Sequence, residues 1–426
     1  LVEKTEIYGV ADHLFRHECG KLVSILTRTF GSENLELAED VVQDSLVEAI
    51  GNWSYQGVPG NPAAWIFQVA KNKALNILNR EKYKKQYAAN TMPLLESEQA
   101  TQYLSLPFSE YEILDDQLRM IFACCHPSIS ADSQIALALK TLCGFSIEEI
   151  ARAYLTTEEN IKKRLVRARQ AIRENKIPFE VPTGKELENR LRTVLETIYL
   201  LFNEGYSAST GVDLIRYDLC EEAIRLAEMI AQHPAIREKP DVYALLALMQ
   251  LNSSRFKSRQ DDQGNLLTLE EQDRSLWNRE LITQGILNLQ RSLDGKHTSV
   301  YQVLAAISAN HCSAPKFELT DWKAILSLYN KLVEMDSSPI VLLNRTVAIS
   351  RVDGPEAALQ HLDGIKENVL LENYPLFYST GAEFHIQLNQ FSSAINCLER
   401  AVELTRVEAE RRLLQKKIDL CRKRIN

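Results

Sequence analysis

Residues 157–174 read TEENIKKRLVRARQAIRE, and Lys162, Lys163, Arg164, Arg167, Arg169 and Arg173 make the stretch strongly basic. Wound into a helix, it separates into two faces. Ile161, Leu165, Ala168 and Ile172 recur at spacings of four, three and four, which is a core stripe. Glu158, Glu159, Asn160, Lys163, Arg164 and Arg167 are left facing outward. Those side chains have the chemistry of duplex DNA recognition. The Asn160 amide can read a base edge with two hydrogen bonds, and Arg164 or Lys163 can read guanine. Arg167 and Arg169 can hold phosphates, which fix position without specifying sequence. A charged face alone would equally suit a solvated helix hairpin. The preceding residues, GFSIEEIARAYLTTEEN, separate the two readings. Ser146 followed by Glu149 is one capping box, and Thr156 followed by Glu159 is a second. Ile147, Ile150, Ala151 and Tyr154 share the inner face of the first helix. Two short capped helices joined by a tight turn, the second basic and amphipathic, make a helix-turn-helix, whose second helix offers its N-terminal residues to the major groove.

A second constellation lies upstream, in NPAAWIFQVAKNKALNILNREKYKK. Ile66, Ala70, Ala74, Ile77 and Leu78 form the expected buried stripe. Gln68, Asn72, Asn76, Asn79 and Tyr83 run along another face at spacings of four, four, three and four. Amides are mediocre helix formers, so a stripe of them calls for a reason. They can hydrogen-bond base edges, with Lys71, Lys73, Arg80, Lys82, Lys84 and Lys85 alongside for phosphates. Trp53 and Tyr55 in the preceding segment are placed to stack on unpaired bases, whereas Trp65 reads as a packing residue. NLELAEDVVQDSLVEAIGNW carries a different surface. Ala38, Val41, Val42, Ser45 and Ala49 point inward, leaving Glu39, Asp40, Gln43 and Asp44 as an outer acidic patch. Such a patch repels DNA and suits a basic protein helix, where charge steers and sets register.

Other chemistry is poorly represented. The sequence shows no Ser-His-Asp set, Walker loop or His-Glu metal motif, so the chain reads as non-enzymatic, with no cofactor and no metal. The eight cysteines form no CxxC pair, and Cys124-Cys125-His126 reads as buried thiols at a helix end. Asp261, Asp262 and Gly264 read as a turn. With a net charge of -8, the molecule as a whole is repelled by nucleic acid, so DNA binding must use local basic patches. No apolar run reaches membrane-span length and no signal-peptide pattern opens the chain, so a cytoplasmic protein without a membrane partner is expected.

The elements that must position these residues are helical nearly throughout, and an all-α fold is expected. Residues 8–88 form one helical block, 89–112 a proline-bearing linker, and 113–177 a second block. KIPFEVPTG is a boundary, and helix pairs fill 185–426. In the last pairs Ala358 and Ala394 occupy matching places, roughly one tetratricopeptide period apart, so this segment is expected to be a tetratricopeptide-like array with a protein or peptide partner. Asn203, Glu204 and Tyr206 read as capping and turn residues. Arg274 and Trp277 fit either a core or a pocket.

AEDVVQDSLVEAIGNW…PAAWIFQVAKNKALNILNR resembles region 2 of a bacterial extracytoplasmic-function (ECF) sigma factor of the sigma-70 superfamily. SIEEIARAYLTTEENIKKRLVRARQAIRE resembles region 4 of the same family. Stretches such as YLLFNEGYSAS and DRSLWNRELI are similar to motifs of a subgroup with a long C-terminal extension. The resemblance implies that the chain binds core RNA polymerase and promoter DNA to direct transcription initiation. The acidic helix (Glu39, Asp40, Gln43, Asp44) would dock on the clamp helices of the large polymerase subunit. The segment from Trp53 and Tyr55 through Gln68, Asn72, Lys73, Asn76, Asn79 and Arg80 would melt and read the -10 element. Glu159, Asn160, Lys163, Arg164, Arg167 and Arg169 would read the -35 element, and the extension would modulate activity. The competing reading is a stand-alone helix-turn-helix regulator with a ligand- or protein-sensing helical domain, which would bind duplex DNA by itself.

Overall fold

The computed structural model describes residues 18–89, 110–153, 156–207, 215–234, 236, 239–293, 297–405 and 407–425, with side chains left aside at 81–89, 110–114, 152 and 153. Nearly all of the linker expected at 89–112, together with Tyr154 and the side chains of Lys82, Tyr83, Lys84 and Lys85, lies outside what is described. The described elements are helices, as expected, apart from one isolated bridge between Gln260 and Leu266. The chain divides into two units, Leu1–Ile198 with His233–Ala235, and Tyr199–Gln232 with Ile236–Asn426.

In the first unit, helix α1 (18–30) is followed by α2 (Leu35–Gln56) and α3 (Pro62–Ala89). The inner face of α2 is the expected one, with Ala38, Val41, Val42, Ser45 and Ala49 buried, and it continues through Trp53. On α3, Ile66, Ala70 and Ala74 are fully buried. The stripe stops there, because Ile77 is 39% exposed and Leu78 only partly covered. Helices α4 (Glu110–Cys124), α5 (Ala131–Leu142), α6 (Ile147–Ala153) and α7 (Glu158–Glu174) make the second block.

The two blocks belong to one unit and touch at several points. Gly20 of α1 lies so close to the end of α5 that a Cβ there would fall 2.2 Å from the Leu142 carbonyl oxygen, so the approach requires glycine. Ser32 Oγ donates to the Ile177 carbonyl at 2.7 Å. The start of α8 (Gly184–Tyr206) also belongs to this unit. There Arg190, 1% exposed, donates to the Phe122 carbonyl and to Glu186 at 3.0 Å. The unit therefore continues past the boundary expected at 185.

The second unit holds the end of α8, then α9 (Tyr217–Gln232), α10 (Pro240–Ser253), α11 (Arg279–Ser292), α12 (Val300–Ser313) and α13 (Trp322–Met335). After these come α14 (Pro339–Val352), α15 (Pro355–Asp363), the short α16 (Val369–Glu372), α17 (Pro375–Gln387), α18 (Phe391–Leu404) and α19 (Glu408–Ile425). Ala358 and Ala394 are each the fourth residue of their helix, α15 and α18, and both are fully buried. A small side chain at that place lets the second helix of a pair lie close on its neighbours, so the repeat inferred from the sequence has a packing cause.

Arg274 and Trp277 resolve as packing residues. Arg274 donates to the His311 and Ala314 carbonyls, at 2.7 and 2.6 Å, and to Thr320 Oγ1 at 3.3 Å, satisfying carbonyls left over at the end of α12. Trp277 is 2% exposed and packs with Leu251, Ile282 and Cys312. Tyr206 accepts from Arg255 at its hydroxyl and from Arg259 at its carbonyl. Asp261 closes its turn by accepting from the backbone of Gln263 and Asn265.

Candidate nucleic-acid interface

The helix-turn-helix is built from its caps. Ser146 N–H donates to Glu149 Oε2 at 2.8 Å and Glu149 N–H donates to Ser146 Oγ at 3.1 Å, so the first capping box is complete. The second cap sits one residue later than expected. Thr157, extended at φ -89° and ψ 151°, places its hydroxyl over the helix start and accepts from the Asn160 N–H. Thr156 Oγ1 instead accepts from Asn160 Nδ2 at 2.8 Å. Glu159 turns along the surface to Lys163 at 2.7 Å, the i, i+4 pairing that outward charges adopt on a helix. The core stripe is as read: Ile161, Leu165, Ala168 and Ile172 are each at most 2% exposed. Burying one face fixes the rotation of α7 and so decides which polar residues face water.

Glu159, Asn160, Lys163 and Arg167 are exposed along α7. Arg164 lies lower, its side chain 20% exposed and 3.1 Å from Asp132 of α5. Arg169 departs from the expectation altogether. It lies beside Ala168 on the flank of the buried stripe, and its side chain turns towards α2. Its Nε donates to Glu39 Oε2 at 3.0 Å, Nη2 makes a second contact to the same oxygen, and Nη1 lies 3.6 Å from Glu36. Arg169 is therefore not presented to a phosphate in this structure.

Glu39 is corrected by the same contact. It is 4% exposed rather than part of an outer acidic patch, and its other oxygen accepts from Thr141 Oγ1 of α5 at 2.6 Å. A carboxylate this deep needs such partners, because an uncompensated buried charge is costly. Asp40 and Asp44 remain exposed and Gln43 half-buried, which leaves a narrower acidic surface than the sequence suggests. Partial burial pushes the Asp40 carboxyl above its ordinary range; Arg169 pulls against that shift, while Glu36 and Asp44 add to it.

On α3 the amide stripe is real. Gln68, Asn72, Asn76, Asn79 and Arg80 are all exposed, and Gln68 Nε2 donates to Asn72 Oδ1 at 3.1 Å. Lys73 is held on α2 by Glu48 at 2.9 Å and by the Asp44 carbonyl at 3.0 Å. Lys71, expected beside the stripe, is buried at 8% exposure. The two aromatic residues before the stripe part company. Tyr55 is 92% exposed and open to a stacking base, but Trp53 is 2% exposed. Trp53 stands four residues after Ala49, so it continues the inner face of α2 and packs edge-on against Trp65 with ring centroids 5.6 Å apart.

One further set of contacts is not legible in the sequence. Asp116 of α4 is fully buried, with Arg28 of α1 at 3.3 Å and Arg119 at 3.4 Å. Arg28–Asp116 and Arg169–Glu39 thus tie the first block to the helix-turn-helix block at two separate points. Cys124 and Cys125 are buried, and burial pushes the Cys125 thiol up to about 12, which keeps it protonated at neutral pH. No group of three or more metal-ligating side chains is gathered among the described residues. No helix among them is long and apolar enough to cross a membrane.

Comparison with known proteins places family names on these surfaces. Residues 14–83 match the model for sigma-70 region 2, and residues 119–172 match that for sigma-70 region 4. Residues 190–293 match a family of unknown function (DUF6596). An uncharacterized protein of Rhizobium meliloti (strain 1021) is 36% identical over 393 residues, covering 91% of this chain and 90% of that protein. The ECF RNA polymerase sigma-E factors of Salmonella typhimurium and Escherichia coli (strain K12) are each 30% identical over 162 residues, covering 37% of this chain and 81% of theirs. No solved structure matches significantly. Regions 2 and 4 occur in order, and most of an ECF sigma factor is matched by the first unit: the chain belongs to the ECF RNA polymerase sigma factors of the sigma-70 family.

Proposed function

We propose that, within this family's role in transcription initiation, the exposed face of α7 reads the -35 element and the amide stripe of α3, with Tyr55, reads the -10 element. Asn160 and Lys163 supply base contacts and Arg167 a phosphate contact. Gln68, Asn72, Asn76, Asn79 and Arg80 line the second surface. Asp40, Gln43 and Asp44 dock on a basic helical surface of core polymerase. The observation that carries this reading is the coincidence on α7 of a buried apolar stripe, two ordered caps and an exposed Asn160, Lys163 and Arg167.

Arg169 and Glu39 take those roles only after their mutual contact opens. In the arrangement described, they satisfy each other, and the first unit is closed across its two blocks. The C-terminal helical array modulates that opening. It is covalently joined to the first unit, and a tethered domain meets its partner at an effective concentration of about millimolar when the connection permits.

Run-off transcription with purified core polymerase and a promoter library tests the reading. Full-length protein should give transcripts that depend on it, and Asn160→Ala should change which promoters are used. Binding to duplex DNA without polymerase, with no effect on transcription, would favour a stand-alone regulator instead. Residues up to Ile198 belong to the first unit, so a truncated chain lacking the array should end after that residue.

A further inference from the structure

The second unit contains a cavity of about 600 Å3 that none of the surfaces above uses. Three helices of the array line it: α14 with Val347 and Arg351, α17 with Leu376 and Glu383, and α19 with Glu410 and Lys417. The loop carrying Glu270 and Glu271 closes one side, and Phe317 and Trp322 close another. Apolar residues at the wall remain open to water, Val347 at 38% and Leu376 at 49% exposure.

The charges in the cavity do not balance. Its lining holds four carboxylates and two cations. Both cations are already engaged. Arg351 lies 2.9 Å from Glu270 with its guanidinium over the Phe317 ring, and Lys417 lies 2.6 Å from Glu383. Glu271 accepts from the backbone and hydroxyl of Thr268, at 2.8 and 2.7 Å, and carries no cation of its own within ion-pair distance among the described residues. Glu410 has neither a hydrogen bond nor an ion pair among the described residues. Burial pushes its carboxyl up, and the more distant Arg259 only partly offsets that shift. A half-buried carboxylate with no hydrogen bond or ion pair among the described residues, in a mostly apolar trough, is stabilised by any ligand that brings a cation and covers the walls.

We propose that this cavity binds a peptide segment presenting a lysine or arginine beside a large apolar residue. The cation meets Glu410, with Glu271 as the second carboxylate, and the apolar side chain covers Val347 and Leu376. A peptide fits better than a free amine because three separate helices contribute to the wall, as in the extended concave faces by which helical repeats hold chains. Ser379, Thr380 and Gln387 on α17 add polar groups along the same wall. The proposal names what the array holds and does not depend on how the first unit reads DNA.

The test selects random twelve-residue phage-displayed peptides on the full-length protein, in parallel on wild type and Glu410→Gln. The expected result is enrichment of Lys or Arg next to Leu, Phe or Ile on wild type, lost on Glu410→Gln. The most enriched peptide, fluorescein-labelled and followed by anisotropy, should bind Glu410→Gln about tenfold more weakly, the scale of one charge-assisted hydrogen bond. Val347→Asp should weaken binding as well, and Glu403→Gln, on the exposed face of α18, should leave it unchanged. Thermal melting of each variant checks that the fold persists, and Glu410→Gln should melt no lower than wild type because it removes a half-buried charge that has no ion pair among the described residues. No enrichment, enrichment of acidic sequences, or enrichment that survives Glu410→Gln would overturn the proposal. So would competition by phenethylamine in a protein that selects no peptide. None of these readouts involves polymerase or promoter, so failure here leaves the sigma-factor reading untouched.

Discussion

The contact between Glu39 and Arg169 makes the sharpest prediction, because it sets a carboxylate expected to face polymerase against an arginine expected to face DNA. The perturbation is Glu39→Gln, which keeps shape and the Thr141 hydrogen bond but removes the charge facing Arg169. Breaking a buried pair by removing one partner costs about 3–5 kcal/mol. The Arg169 side chain is 17% exposed and keeps Glu36 at 3.6 Å, so water and a second carboxylate reach it and the cost lies at the lower end at most. At most about 3 kcal/mol corresponds to a shift of up to roughly a hundredfold in the equilibrium between closed and open first units. The assay is energy transfer between dyes on Gly51→Cys and Val166→Cys. Gly51 has open space around its Cβ position and Val166 is 57% exposed, so both accept a label. Seven of the eight native cysteines are buried and Cys397 is part-buried, so with Cys397→Ser as background the engineered sites react first. Glu39→Gln should move the distance distribution outward. Glu39→Leu with Arg169→Met should restore the short distances, since an apolar pair of similar volume replaces a buried ion pair at little cost. Lys73→Gln, which removes a more exposed pair with Glu48, should change the distribution little, because such pairs contribute under about 1 kcal/mol. An unchanged distribution in Glu39→Gln would refute the reasoning.

The remaining predictions concern α7, its caps and one histidine. Thr157→Ala should cost about 1 kcal/mol, the usual worth of an N-cap, whereas Thr156→Ala should cost less; urea unfolding of the two variants ranks them. Leu165→Ala, at a site 1% exposed, should cost about 2–5 kcal/mol in the same measurement and abolish promoter binding at temperatures where wild type still binds. Arg167→Ala should weaken holoenzyme binding about evenly across promoter sequences and reduce the salt slope by about 1, whereas Asn160→Ala should relax preference at one base pair by about 1–3 kcal/mol. His311 is held near pKa 3, first by burial and then by the charges of Arg255 and Arg274. The unfolded chain binds a proton at this residue below its ordinary value of about 6.5, and the folded chain does not until far lower pH. Stability should therefore be flat above that value and fall on acidification at up to about 1.4 kcal/mol per pH unit from this group. His311→Gln should remove that part of the slope in unfolding series run from pH 7.5 to 5.

How much of this is legible in the sequence depends on how far apart the cooperating residues lie. The stripe of α7 and the Ser146–Glu149 box rest on spacings within a few turns, and the helical period carries them; Ala358 and Ala394 are legible because the same helix position recurs at one repeat length. The second cap reads one residue too early because Thr156 and Thr157 are both good caps, and the Glu three residues after Thr156 favours the wrong one. In the structure that Glu159 pairs with Lys163 instead. Trp53 continues the spacing of Ala49 on the buried face, which is the signal that places it; its position near a loop suggests a stacking ring instead.

Glu39 and Arg169 are a different kind of miss. Each sits on an otherwise solvent-facing pattern, one among acidic neighbours and the other among basic ones, and no local period says that a charge 130 residues away will cover it. Arg28 and Asp116 repeat the lesson at a second point. The acidic residues of α2 and the basic residues of α7 are complementary to each other, as Glu39 and Arg169 show. On the reading proposed above, in which those faces meet polymerase and promoter, they compete with one another before either partner arrives. If the first unit opens on binding polymerase as proposed, two ion pairs and the glycine-wide approach at Gly20 set how much binding free energy that opening takes. If core binding weakens when Gly20→Ala loosens that approach, the blocks are not competing. If it strengthens, they are.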